Sequence, residues 1–130
     1  MRTAREVLEA LFDAFNRHDV DTLVGLYAED AVNHQMPASP LRGRGAIRKS
    51  LEEGFAAIPD MRCRLVNIIG DGDRGAVEWE ASGTYRPPDK APRPYRISGC
   101  GFFRVQGGVI VEQHGYWDSA AMTRQAGVAP

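Results

Sequence analysis

Three side chains near the end of the chain could do proton chemistry together: His114, Tyr116 and Asp118. They alternate along a β-rich run, and alternate residues of a strand share one face. If that face lines a cavity, an imidazole, a phenol and a carboxylate point inward together, which is an acid–base site. If it does not, the three satisfy one another at the end of a sheet. The run is the second half of a hairpin over residues 97–118, folded around Gly107-Gly108. That hairpin must be held by the rest of the chain.

The chain has 130 residues, 43% hydrophobic and 25% charged, with a formal net charge of -1. This is the composition of one globular domain with a sizeable core. No basic block stands out. Arg42, Arg44, Arg48 and Lys49 are balanced by Glu52 and Glu53, as on a solvated helix face. Nucleic acid and membrane surfaces are therefore not expected as partners. Cys63 and Cys100 are the two cysteines, with no Cys-x-x-Cys, so no metal or redox motif is read. The opening residues are charged and amphipathic rather than signal-like, and no apolar run is long enough for a membrane. A cytoplasmic, reduced protein is expected.

Thr3 and Glu6 fit a capping box, followed by a stripe of Val7, Leu8, Leu11, Phe12 and Phe15. The first helix is expected to end near Arg17. Asp19 or Asp21 can cap a short second helix carrying Leu23, Val24, Leu26 and Tyr27. After a turn at Glu29-Asp30, residues 31–36 read as a strand. Val32, His34 and Met36 share one face of it; Asn33 and Gln35 share the other. Pro37 and Pro40 end it. Gly43 and Gly45 mark a loop, and a third helix runs from about Ala46 to Pro59. From Met61 the pattern is β: strands over 62–69 and 76–85 around Asp71-Gly72-Asp73, a proline-rich connection over 86–94, then the hairpin. Residues 119–130 form a tail with a last helical turn over 120–125. Helices first and strands afterwards predict an α+β fold with helices packed on one face of the sheet.

Several segments in this order resemble the NTF2-like superfamily, and most of all its SnoaL-like polyketide cyclase branch. They are Leu26-Tyr27-Ala28-Glu29-Asp30-Ala31-Val32, then Arg42-Gly43-Arg44-Gly45-Ala46-Ile47, then Ile58-Pro59-Asp60-Met61. Phe103-Arg104-Val105, Gly108, Ile110-Val111-Glu112, Asp118 and Gln125-x-Gly127 complete the match. The resemblance implies one domain over residues 1–130. Its curved antiparallel sheet would form a cone, with the N-terminal helices on the concave face, an apolar pocket inside and a homodimer through the outer face. It implies cofactor-independent acid–base chemistry alpha to a carbonyl, of the aldol ring-closing kind, with Asp118 as acid and base. An apolar pocket would raise a carboxyl pKa toward the working range. The same aspartate could instead cap the tail segment at Ser119.

Related cyclases place a histidine on the neighbouring strand, and residues 98–104 have none. His114 is the nearest stand-in and His34 a second. Tyr116, Trp79, Tyr27, Phe15, Phe55 and Met36 are the expected substrate-contacting walls. The expected partner is a small hydrophobic carbonyl compound, with no metal and no cofactor. Two sibling activities fit worse. Limonene-epoxide-hydrolase-like proteins use asparagine where Gln35 stands, an Arg-x-Asp pair where Glu78-Trp79-Glu80 stands, and an aspartate near Gly115. Ketosteroid-isomerase-like proteins need an acidic base near Gln35. A binding protein without catalysis is the other reading, and the placement of Asp118 separates the two. The hairpin register is open. A two-residue loop sets Arg104 beside Val111, a three-residue loop beside Glu112.

Overall fold

The computed structural model describes residues 1–36 and 38–125. Pro37, read as a strand terminator, and Gly127 of the tail pattern lie outside the described residues. Helices α1 (Ala4–Asn16), α2 (Val20–Gly25), α3 (Gly43–Ala57) and α4 (Ser119–Gln125) accompany six strands. These are β1 (Tyr27–Met36), β2 (Leu41–Arg42), β3 (Arg62–Asp71), β4 (Arg74–Tyr85), β5 (Arg93–Gln106) and β6 (Val109–Trp117). They form one curved, unclosed sheet in the order β2-β1-β6-β5-β4-β3. All neighbours are antiparallel except β1 and β6, which run parallel. A purely antiparallel sheet was expected, and this seam is the departure.

The helix ends follow their capping residues. In α1, Glu6 N donates to Thr3 Oγ1 at 3.2 Å and Thr3 N donates to Glu6 Oε1 at 3.0 Å. These bonds hold the Glu6 carboxyl below its ordinary pKa. Asp19, rather than Asp21, caps α2 through Thr22 N. Helix α3 begins three residues before the expected start. Gly43 takes a left-handed φ of 84°, open to glycine, and Arg44 Nε donates to the Tyr27 carbonyl at 2.8 Å. Strand β1 also starts early. Tyr27 pairs with Ile110 and Val32 with Glu112, so the expected turn at Glu29-Asp30 is an irregular stretch inside one strand.

Ala4, Val7, Leu8, Leu11 and Ala14 bury one side of α1 against the concave face of the sheet. Leu23, Leu26, Ile47, Val77, Phe103, Val105 and Ile110 complete that core. Asn16 pins the end of α1 to β3, accepting from Cys63 N at 2.7 Å and donating to the Cys63 carbonyl at 2.9 Å.

Two bulges decide which residues face inward. The β5–β6 turn is Gly107-Gly108, both with positive φ (60° and 79°), as a two-residue hairpin requires. Gln106 pairs with Val109 and Val105 with Ile110, yet Arg104 pairs with Glu112. Val111 is therefore an extra residue, a β-bulge. It reconciles a two-residue loop with Arg104 opposite Glu112, and the two side chains form an ion pair at 3.9 Å. On β3, Val66 is extra in the same way, between the pairs Leu65–Trp79 and Asn67–Glu78.

Candidate functional site

A cavity of about 500 Å³ lies between the concave face of the sheet and the helices. This is within the usual size range of small-molecule sites. Phe12 and Phe15 of α1 and Leu51 and Phe55 of α3 form its helical wall. Val77, Trp79 and Phe103 form the sheet wall, with Met122 of α4 over one end. Phe15 and Phe55 pack at a centroid distance of 5.0 Å. Four of the expected wall residues, Phe15, Tyr27, Phe55 and Trp79, line this space.

Its polar groups come from the β1–β6 seam. Asn33 pairs with Gln113 and Gln35 with Gly115, all facing inward. Tyr27 Oη donates to Gln113 Oε1 at 2.5 Å, and Gln35 Nε2 donates to Asn33 Oδ1 at 2.6 Å. Gly115 has no Cβ because the Gln35 amide fills that space, 2.7 Å from where a Cβ would stand. Burial holds the Tyr27 phenol protonated far above its ordinary range. Tyr95 and Cys63, also on the wall, are raised by burial too. Among the described residues lining the cavity there is no Asp, Glu, Lys, Arg or His.

The expected acid–base group lies elsewhere. His114 and Tyr116 project from the outer face, where Tyr116 is 44% exposed and Met36 43%. His34 stands beside His114 on that face, the rings stacked at 4.3 Å with 4° between their planes. His34, Met36, His114 and Tyr116 are therefore not cavity residues. The physical reason is the bulge. Ile110 is buried in the core, and counting by two from it turns Glu112, His114 and Tyr116 inward. The extra residue Val111 reverses that alternation, so Gln113, Gly115 and Trp117 face the cavity. Asp118 is likewise absent from the wall. Its Oδ1 accepts from Ala121 N at 2.9 Å and caps α4.

The residues missed from sequence are the neutral ones: Asn33, Gln35, Gln113, Trp117, Tyr95 and Cys63. The separation of Asn33 and Gln35 from the His34 face was legible. The polarity of each face was not, because an amide side chain carries no sequence sign that it lines a cavity rather than faces water. On the outer face, His34, Glu112 and His114 bring one donor atom each within 4.8 Å of one another, a grouping no sequence spacing announces.

The helix α4 is latched over the cavity end. Gln125 accepts from Arg96 N and donates to the Arg96 carbonyl, each at 2.6 Å. Arg93 Nε donates to the Gln125 carbonyl at 2.8 Å.

Burial of Cys63 makes stability depend on alkaline pH. Its thiol is pushed up from 9.0 to about 12. The unfolded chain releases this proton near 9.0 while the folded chain keeps it to about 12. The folded state then binds more protons, and stability falls as pH rises across that window. Cys63→Ala is expected to remove a loss on the order of a few kcal/mol. Urea unfolding at pH 8 and pH 11 measures it; an unchanged pH slope in the variant would refute this origin.

A curved, unclosed six-stranded sheet with helices is the NTF2-like, ketosteroid-isomerase-like fold. The chain belongs to the SnoaL-like domain family, whose model matches residues 8–113. It is similar to IdmH of Streptomyces antibioticus, a proposed polyketide cyclase, at 31% identity and TM-score 0.80, over 94% of this chain and 96% of that one. A proposed polyketide cyclase of Xanthomonas campestris is 26% identical, with TM-score 0.79 over 92% and 93% of the two chains. A ketosteroid isomerase-like protein of Catenulispora acidiphila shares the fold at 19% identity and TM-score 0.82, over 98% and 96%. No curated protein matches the chain. No helix among the described residues is long and apolar enough to cross a membrane.

Proposed function

We propose that this protein encloses one small, mostly apolar, carbonyl-bearing molecule of polyketide type and holds it with neutral hydrogen bonds. The observation that carries the reading is the cavity wall, mostly apolar, with a belt of amides and phenols, two serines and a cysteine but no Asp, Glu, Lys, Arg or His among its described residues. Gln113 gives its carbonyl oxygen to Tyr27, and Asn33 gives its own to Gln35. The N–H groups of both amides then remain to donate to a ligand oxygen. An apolar site with a few placed polar groups is built for binding and orientation. Asp118 and His114 are not among the cavity-lining residues, which supports holding by neutral groups over acid–base catalysis by those two. Ring closure by confinement is the second reading, favoured by the likeness to IdmH. There the wall would fold the substrate and the amides would polarise its carbonyl, the substrate reacting as its enol so that the enol O–H proton passes to the new alkoxide as the C–C bond forms and no ionised base is needed. The homodimer belongs to this proposal too, through the outer face where Phe102 is 54% exposed.

The experiment is a fluorescence titration with aromatic and polyene polyketide esters, because Trp79 and Trp117, the chain's two tryptophans, both line the cavity. Binding is expected to shift their emission. Asp118→Asn should bind within about twofold of wild type, since asparagine caps as well as aspartate. Product formation that vanishes in Asp118→Asn, with binding intact, would restore the aspartate as catalyst and overturn this reading.

A further inference from the structure

We propose that His34, Glu112 and His114 form a site for one divalent transition-metal ion on the outer face of the sheet. This is independent of what the cavity binds. His34 and His114 occupy directly paired positions on the parallel strands β1 and β6. Glu112 precedes His114 by two residues and stands on the same face, its Oε1 3.7 Å from His114 Nε2. Donor atoms of the three lie within 4.8 Å of one another. A tetrahedral zinc with bonds near 2 Å needs donors roughly 3.3 Å apart. Rotation of half-exposed side chains closes that gap.

The ligand set also fits. Two imidazoles and one carboxylate select zinc, copper or nickel over magnesium or calcium, which prefer all-oxygen ligands. Three protein ligands leave a fourth position to water. The Arg104 guanidinium, 3.9 Å from the same Glu112 oxygen, competes for the carboxylate. The ion must displace it, so the site is weaker than a closed structural one. The site exists only because Val111 bulges, which turns Glu112 and His114 outward beside His34. A bound ion would tie residues 34 and 114 together across the parallel seam.

The test is zinc titration of the full chain against a chromophoric indicator, with thermal unfolding followed in parallel. One equivalent of zinc is expected to bind, and the unfolding midpoint should rise with zinc concentration. His34→Ala and His114→Ala should each weaken binding about tenfold or more, with unchanged melting in the absence of zinc. Cys100→Ser should bind as wild type does, which excludes a site on that half-buried thiol. No stoichiometric uptake by wild type would overturn the proposal. So would full-affinity binding by either histidine variant, or loss of binding in the cysteine variant.

Discussion

Deleting Gln113 is expected to abolish cooperative folding. Glu112 faces outward opposite Arg104, so with Gln113 gone His114 and Tyr116 must turn inward behind it. Gly115 and Trp117 would then turn to solvent. Burying an imidazole without a partner costs roughly 1–3 kcal/mol, and exposing an indole loses a comparable apolar contribution. A domain has only about 5–15 kcal/mol in total. The partner of Tyr27 would be lost in the same step. Circular dichroism with thermal unfolding reads the outcome directly. Deleting Val111 is the control: Glu112 then follows Ile110 directly, the pairs Val105–Ile110 and Arg104–Glu112 become consecutive, and every later side chain keeps its face. A sharp, wild-type-like transition in the Gln113 deletion would mean that alternation along β6 does not set which face is inside.

Gly99→Ala, directly behind the cavity-lining Trp79, should damage stability and cavity together. Gly99 pairs with Trp79 across β4 and β5, and both face inward. An added Cβ would stand 2.4 Å from the Trp79 ring and 2.5 Å from the Tyr116 carbonyl oxygen. The ring can tilt but the backbone oxygen cannot readily move. Overpacking of this kind costs about 1–3 kcal/mol. The displaced indole would also narrow the cavity, so ligand affinity and stability should fall together. Gly101 is the internal comparison. Its Cβ would meet Phe103 at 3.2 Å and the His114 carbonyl at 3.5 Å, which a small side-chain shift absorbs. Equal urea midpoints for Gly99→Ala and Gly101→Ala would show that the close approach is not limiting.

How far the chain could be read varies by element. The stripe of Val7, Leu8 and Leu11 and the capping box of Thr3 and Glu6 are local signals, and α1 forms where they place it. Trp79 alternates with Glu78 and Glu80 in an uninterrupted strand, so its inward direction follows from period two. Glu80 on the other side meets Arg64 and Arg96 on the outer face. The same rule misplaces His114 because alternation holds only until a bulge. Nothing in Val109-Ile110-Val111-Glu112 marks which residue is the extra one. That choice is made by β5 and β1 on either side. The tail aspartate was legible as a cap, and the cap is what forms. The departures from the sibling enzymes acquire a physical form as well. The Gln35 amide occupies the space that any side chain at position 115 would need.

The parallel seam has a consequence for how the chain is made. Strand β1 is complete by residue 36, but its hydrogen-bonding partner β6 begins at Val109. Until then β1 has only the two-residue β2 beside it. Pairings this distant along a chain carry a large loop-closure cost and form slowly. During synthesis, the antiparallel unit of β3, β4 and β5 can assemble first. The seam that carries the amide belt closes only after almost every other strand has left the ribosome. The cavity is thus the last part of the molecule to be finished, and a nascent chain can be mostly folded while its cavity still lacks the amide belt.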